Sequence, residues 1–131
     1  MKSPQPPVPD IVLLAAEWQP RAMLRAQLIE DGFEVLATDT WSEMRRLLRP
    51  ASRPLLAIVD LQGLPDPDRV LTDLATIMNP SRVLVLTAIG TVVADQIQAR
   101  GFRVVRRPAT IGDIVAAAAR AIREEKASKG Q

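Results

Sequence analysis

Three side chains stand out as able to do polar chemistry: Asp60, Thr87 and Arg107. Asp60 closes the apolar run Leu55-Leu56-Ala57-Ile58-Val59, Thr87 closes Val83-Leu84-Val85-Leu86, and Arg107 follows Phe102 to Arg106 and precedes Pro108. A carboxylate at the end of an apolar run is unfavourable unless it is paired or reaches water at the strand tip. A guanidinium is permanently charged and can meet both oxygens of a carboxylate. Taken singly, Asp60 reads as a cap on the loop that follows, Thr87 as a β-forming residue at a strand end, and Arg107 as a solvated charge before a rigid turn. Taken together, at strand ends of one predicted sheet, they are harder to read as unrelated.

Much other chemistry is excluded. The 131 residues contain no Cys, His or Tyr. Disulfides, thiol catalysis and Cys-based zinc sites are therefore out, and so are the usual general base and the commonest metal ligand. All but three of the 17 basic residues are Arg; the lysines are Lys2, Lys126 and Lys129, so no interior amine can hold a phosphate or form a Schiff base. A net charge of +2 does not indicate bulk nucleic-acid binding. Hydrophobic residues make up 47% and charged residues 24%, which suits a folded domain and not a disordered chain. Lys2 is followed by Pro4, Pro6, Pro7 and Pro9 rather than an apolar segment, and the Val83–Ala94 stretch is too short and too interrupted to span a bilayer. A soluble cytoplasmic protein is expected.

The elements that would position the three residues alternate. Ile11–Ala15 is an apolar run of the kind buried on both faces of a sheet. Pro20 suits a first helical position, Met23, Leu24 and Leu28 follow at helical spacing, and Gly32 is a stop. Phe33–Ala37 is a second strand; Thr40 with Glu43 forms a capping box for a helix ended by Pro50 and Pro54. Leu55–Asp60 is the third strand, and Asp66-Pro67 opens a helix that stops at Asn79-Pro80. Val83–Thr87 is the fourth strand, followed by a helix from about Thr91 to Arg100. Phe102–Arg106 is the fifth strand, and Thr110 caps the last helix. Trp18 and Trp41, at the starts of helices, read as packing caps over the sheet edge. Residues 1–9 read as a Pro-rich disordered tail, 10–126 as one folded domain, and 127–131 as a frayed end or the start of a linker. The order (βα)5 implies a parallel sheet with right-handed crossovers and helices on both faces. Ligands gather at the carboxyl ends of such strands, where Ala15-Ala16-Glu17, Asp60, Thr87 and Arg107 stand.

At this point the chain, from about Asp10 to Arg123, resembles the receiver domain of two-component response regulators. The matching segments are Ile11–Leu14, Asp31-Gly32-Phe33-Glu34-Val35, Leu55–Asp60, Leu84-Val85-Leu86-Thr87-Ala88 and the Arg107-Pro108 turn. The resemblance implies a flavodoxin/CheY-like, doubly wound five-stranded sheet of order 2-1-3-4-5. It also implies that Asp60 accepts a phosphoryl group from a histidine kinase with bound magnesium, and that Thr87 contacts that group. Such a domain at most catalyses its own phosphoryl transfer and is otherwise not an enzyme.

The chain departs from the family at the metal. The family's acidic pair after the first strand falls on Ala15 and Ala16, with Glu17 one residue further on; its lysine before the proline is Arg107; its switch aromatic falls on Val104. That leaves Glu17, Asp60 and the loop residue Gln62 as magnesium ligands, a poor set for a cation that wants octahedral oxygen ligation. Arg107 is expected to pair with Asp60 and stand in for the missing cation. The reading is therefore an atypical receiver, or pseudo-receiver, with impaired magnesium-dependent phosphorylation, acting by protein–protein contact. An ordinary phospho-accepting receiver is the alternative, and a small α/β ligand-binding domain or enzyme is a second. Against the latter, no glycine-rich phosphate loop follows the first strand. A DNA-binding regulator would need an effector domain, for which there is no room after residue 123, so that reading holds only if this sequence is a fragment of a longer chain.

The partners expected are a histidine kinase or an output protein, or a second copy. Eight basic against three acidic residues from Arg100 onward place the contact on the fourth helix, fifth strand and last helix. There Arg100, Arg103, Arg120 and Arg123 face partner charges, with Asp95, Glu124 and Glu125 pairing across a two-fold axis.

Overall fold

The computed structural model describes residues 8–48, 53–89 and 93–129. The chain forms β1 (Ile11–Leu14), α1 (Trp18–Glu30), β2 (Val35–Thr38), α2 (Trp41–Leu47), β3 (Leu56–Asp60), α3 (Pro67–Ile77), β4 (Val83–Leu86), α4 (Ala94–Ala99), β5 (Arg103–Val105) and α5 (Ile111–Lys129). The strands make one parallel sheet of order β2-β1-β3-β4-β5, as expected.

Strand parity explains the two layers. Side chains alternate across a strand. Val12, Leu14, Ala57, Val59, Val83 and Val85 face one side, where Met44 of α2, Val70, Leu71 and Leu74 of α3 and Ile97 of α4 cover them. Ile11, Leu13, Leu56, Ile58, Leu84 and Leu86 face the other, against Leu24 and Leu28 of α1 and Ile114, Val115, Ala118 and Ile122 of α5. Every residue of β1 and β3 is buried, so these strands read as unbroken apolar runs.

Caps fix the ends. Thr40 Oγ1 accepts the Glu43 N–H at 3.2 Å, a contact of the kind that contributes about 1 kcal/mol; the Glu43 carboxylate binds Arg46 rather than closing the capping box. At α5 the box does close: Asp113 N–H donates to Thr110 Oγ1 at 3.0 Å and Thr110 N–H donates to Asp113 Oδ2 at 3.1 Å. Gly32, with φ of 99°, ends α1 in a conformation that favours glycine.

Several boundaries differ from the sequence reading. β2 starts at Val35 and ends on buried Thr38, whose Oγ1 donates to Leu13 O at 3.3 Å. α1 begins two residues before Pro20, which is tolerated because the first helical N–H groups have no intrahelical acceptor. Asp66 precedes α3 at φ of 50° and its side chain makes no cap. α5 continues through Ala127 and Ser128 to Lys129, where a frayed end had been expected. Most of the 1–9 tail, Pro50 and the Thr91 helix start lie outside the described residues. No helix among the described residues is long and apolar enough to cross a membrane.

Candidate functional site

β3, β4 and β5 deliver Asp60, Thr87 and Arg107 to one point at the carboxyl edge of the sheet. Asp60 is the last residue of β3 and only 4% exposed. Arg107 meets it as a fork: Nη1 donates to Asp60 Oδ1 at 2.5 Å and Nη2 to Oδ2 at 2.7 Å. The Gln62 N–H donates a further bond to Oδ1 at 2.9 Å. Thr87, also buried, is held by the same arginine: the Arg107 N–H donates to Thr87 Oγ1 at 3.0 Å, and Nη1 donates to Thr87 O at 3.1 Å. The chain turns here through a cis Arg107-Pro108 peptide.

The electrostatics follow from that geometry. The hydrogen-bonded Asp60 carboxylate holds the Arg107 guanidinium above its ordinary pKa; burial opposes this, and the charges of Asp60 and then Glu17 add to the rise. The pair is charge-assisted, bidentate and largely shielded from water, the geometry in which such a bond is strongest.

The proposed metal ligands do not assemble into a magnesium site. Both oxygens of Asp60 are engaged by Arg107. The Gln62 side-chain oxygen accepts the Ile89 N–H at 3.0 Å. Glu17 is exposed and packs near Gly63, where a Cβ would lie 3.5 Å from Glu17 Cγ. Ala15 and Ala16 bring no side-chain oxygen. Among the described residues no three acidic groups gather to hold a metal ion. This donor set, one paired carboxylate and one carboxylate at the rim, does not fit magnesium.

Arg21 went unnoticed in the sequence. Its Nη1 donates to Ala15 O at 2.8 Å and reaches Ala16 O at 3.4 Å, so a second guanidinium sits at the end of β1. The one sign of this was a cation just inside a helix N-terminus, where it opposes the helix dipole.

The arginines expected to face a partner are partly engaged within the chain. Arg100 pairs with Asp68 at 2.9 Å and donates to Thr72 Oγ1 at 3.0 Å. Arg103 pairs with Glu124 at 2.8 Å and Glu125 at 3.5 Å, and Arg106 pairs with Asp95. The carboxylates placed across a two-fold axis thus have partners in their own chain. Arg120 and Arg123 form no ion pair among the described residues, though their charges, after the hydrogen bond and charge of Arg103, help hold the Glu124 carboxyl below its ordinary pKa. Trp41 packs on the core, as expected, whereas Trp18 is 70% exposed. Val104 packs against the α3 side of the sheet.

No family model matches the chain, and no curated protein matches it. Solved structures do. A response regulator receiver domain protein from Clostridium thermocellum superposes with a TM-score of 0.76 at 24% identity, over 88% of this chain and 95% of that one. A CheY-like receiver domain protein from Methanospirillum hungatei gives 0.76 at 16% identity, over 90% and 96%. The adenylate cyclase structure from Rhodopirellula baltica gives 0.76 at 20% identity, over 92% and 91%. The chain therefore has the CheY-like receiver fold.

Proposed function

We propose that this chain is a receiver-like signalling domain of the response-regulator type, with Asp60 at the phospho-acceptor position and Arg107 held in place of a metal. Fold alone does not carry this reading, since the same fold carries different chemistries; the site supports it. The carrying observation is the two-bond fork between Arg107 and Asp60. Phosphoryl transfer is mostly positioning and charge neutralisation, much of it carried by the metal. Here the attacking oxygens are hydrogen-bonded to a resident cation, and Thr87 is tied to the same residue. The domain is thus atypical, its magnesium-dependent phosphorylation impaired, and its signal is a matter of which protein it binds. It acts as a binding domain, not an enzyme.

Amide NMR with beryllofluoride, with and without magnesium, tests this. The resonances of Asp60, Thr87 and Arg107 are expected to stay in place in both conditions. A second set appearing only with magnesium would restore the ordinary phospho-accepting reading.

The partner face we propose comprises α4, β5 and α5, with Arg120 and Arg123 as its available cations. A kinase, an output protein or a second copy bound there would be steered by charge. Rim charges tune association rate and salt response more than they tune affinity. Two copies would bring Arg120 and Arg123 of each to the same seam, so sedimentation is expected to show self-association that strengthens as salt is raised. A monomer at high concentration in both low and high salt would remove the homodimer.

A further inference from the structure

The Asp60–Arg107 pair also forms one wall of a cleft. This cleft, about 260 Å³, opens between α1 and α5 beyond the ends of β1 and β3, and its other walls include Ala15, Met23, Leu24, Ala109 and Ile114. A 150 Å³ apolar cavity holds a benzene ring, so this one has space for a ring with a short substituent. Met23, half exposed at the mouth, is an unbranched side chain that can move aside.

The polar wall narrows the class of occupant. A guanidinium has five N–H donors. Arg107 commits two to Asp60 and one to Thr87 O. Its Nε–H and one Nη2–H are left over. No buried side-chain polar atom among the described residues lacks a partner, so the unbonded Nε is accessible. An acceptor is therefore called for. Its charge is also constrained. The charge of Arg107 is already balanced by Asp60, and Glu17 adds a negative field. An anion meets no net positive charge there, and a cation meets a guanidinium.

We infer that the cleft between α1 and α5 binds a small uncharged molecule with a ring-sized apolar body and one carbonyl-type acceptor directed at Arg107. This site stands whether or not the domain signals as proposed above. It is coupled to the sheet edge all the same, because Arg107 also holds Thr87, and a ligand that favours one placement of Arg107 biases the segment after β4.

The test is an amide NMR titration of the full chain with three probes of one shape: acetophenone, benzoate and ethylbenzene. Acetophenone is expected to give saturable shifts clustered at Ala15, Leu24, Arg107, Ala109 and Ile114. It should bind about ten- to a hundredfold more tightly than ethylbenzene, the worth of one hydrogen bond to a charged group, and benzoate should be weaker than acetophenone. Ala109→Phe, which places a ring in the mouth, should abolish the shifts while leaving the rest of the spectrum in place. Shifts that scatter or do not saturate, benzoate binding as tightly as acetophenone, ethylbenzene matching it, or unchanged binding to Ala109→Phe would each overturn the assignment.

Discussion

Replacing Arg107 by alanine is expected to lower the unfolding free energy by about 3 kcal/mol, the lower end of what breaking a buried ion pair costs. The magnitude rests on burial. Side-chain exposure is 13% for Arg107 and 5% for Asp60, so removing the guanidinium leaves a carboxylate with the Gln62 N–H as its remaining described donor. The effect sits at the lower end because Asp60 is at a strand tip, where water can enter the space the arginine leaves. A surface pair behaves differently. Arg100 and Asp68 also meet, at 2.9 Å, but the Asp68 side chain is 91% exposed, and Arg100→Ala is expected to change stability by about 0–1 kcal/mol through that pair. Asp60→Ala should resemble Arg107→Ala, and the double variant should lose far less than the sum, because the two changes remove one interaction. The raised pKa of Arg107 sets the pH behaviour on the arginine side. Its contribution is fully present below the ordinary guanidinium pKa and is lost only as pH rises through the higher folded value, in strong alkali. The difference between wild type and Arg107→Ala should thus be flat between neutral and mildly alkaline pH. Urea unfolding of wild type, the two single variants at Asp60 and Arg107, their double variant and Arg100→Ala is the measurement, and additive losses at Asp60 and Arg107 would dissolve the coupling.

The triple change Ala15→Asp, Ala16→Asp and Arg107→Lys is expected to raise magnesium-dependent phosphoryl uptake at Asp60 well above that of the parent chain. Ala15 lines the same cleft as Asp60 and Arg107, so a carboxylate there points toward the site. Ala16 lies by Gly63, beside Glu17. Two added carboxylates supply the oxygen ligands that magnesium requires, and lysine, a point charge, cannot reproduce the fork that occupies both oxygens of Asp60. Ala15 is buried, so the variant will be less stable, and its circular dichroism must be checked first. Intact mass after incubation with acetyl phosphate and magnesium should show one phosphoryl group, absent when Asp60→Asn is added. A folded triple variant that stays unmodified would mean that something other than the missing acids and the arginine disables the site.

The site was legible to different degrees for physical reasons. Asp60 ends β3, Thr87 follows β4 and Arg107 lies two residues beyond β5, and parallel packing brings strand ends together whatever the loops do. The order of the sheet came from resemblance, since periodicity alone does not order strands. β2 slipped because Phe33 and Glu34 carry the same apolar and polar alternation as the strand; the structure starts it at Val35, in register with Ile11. α5 runs past its expected end because Ala127 and Ser128 are no barrier to a helix already docked along one face. The ion pairs on the basic face were the least legible. Spacing places Arg100 and Arg103 near each other, but Asp68 and Glu124 come from α3 and α5, distant in sequence, and no local pattern reveals them.

We propose Arg107, not a metal, as the cation of Asp60. The most direct test of this claim is the intact mass of the wild-type chain incubated with acetyl phosphate and magnesium. The mass is expected to stay unchanged. Stoichiometric phosphorylation that disappears in Asp60→Asn would contradict the claim and make this an ordinary phospho-accepting domain.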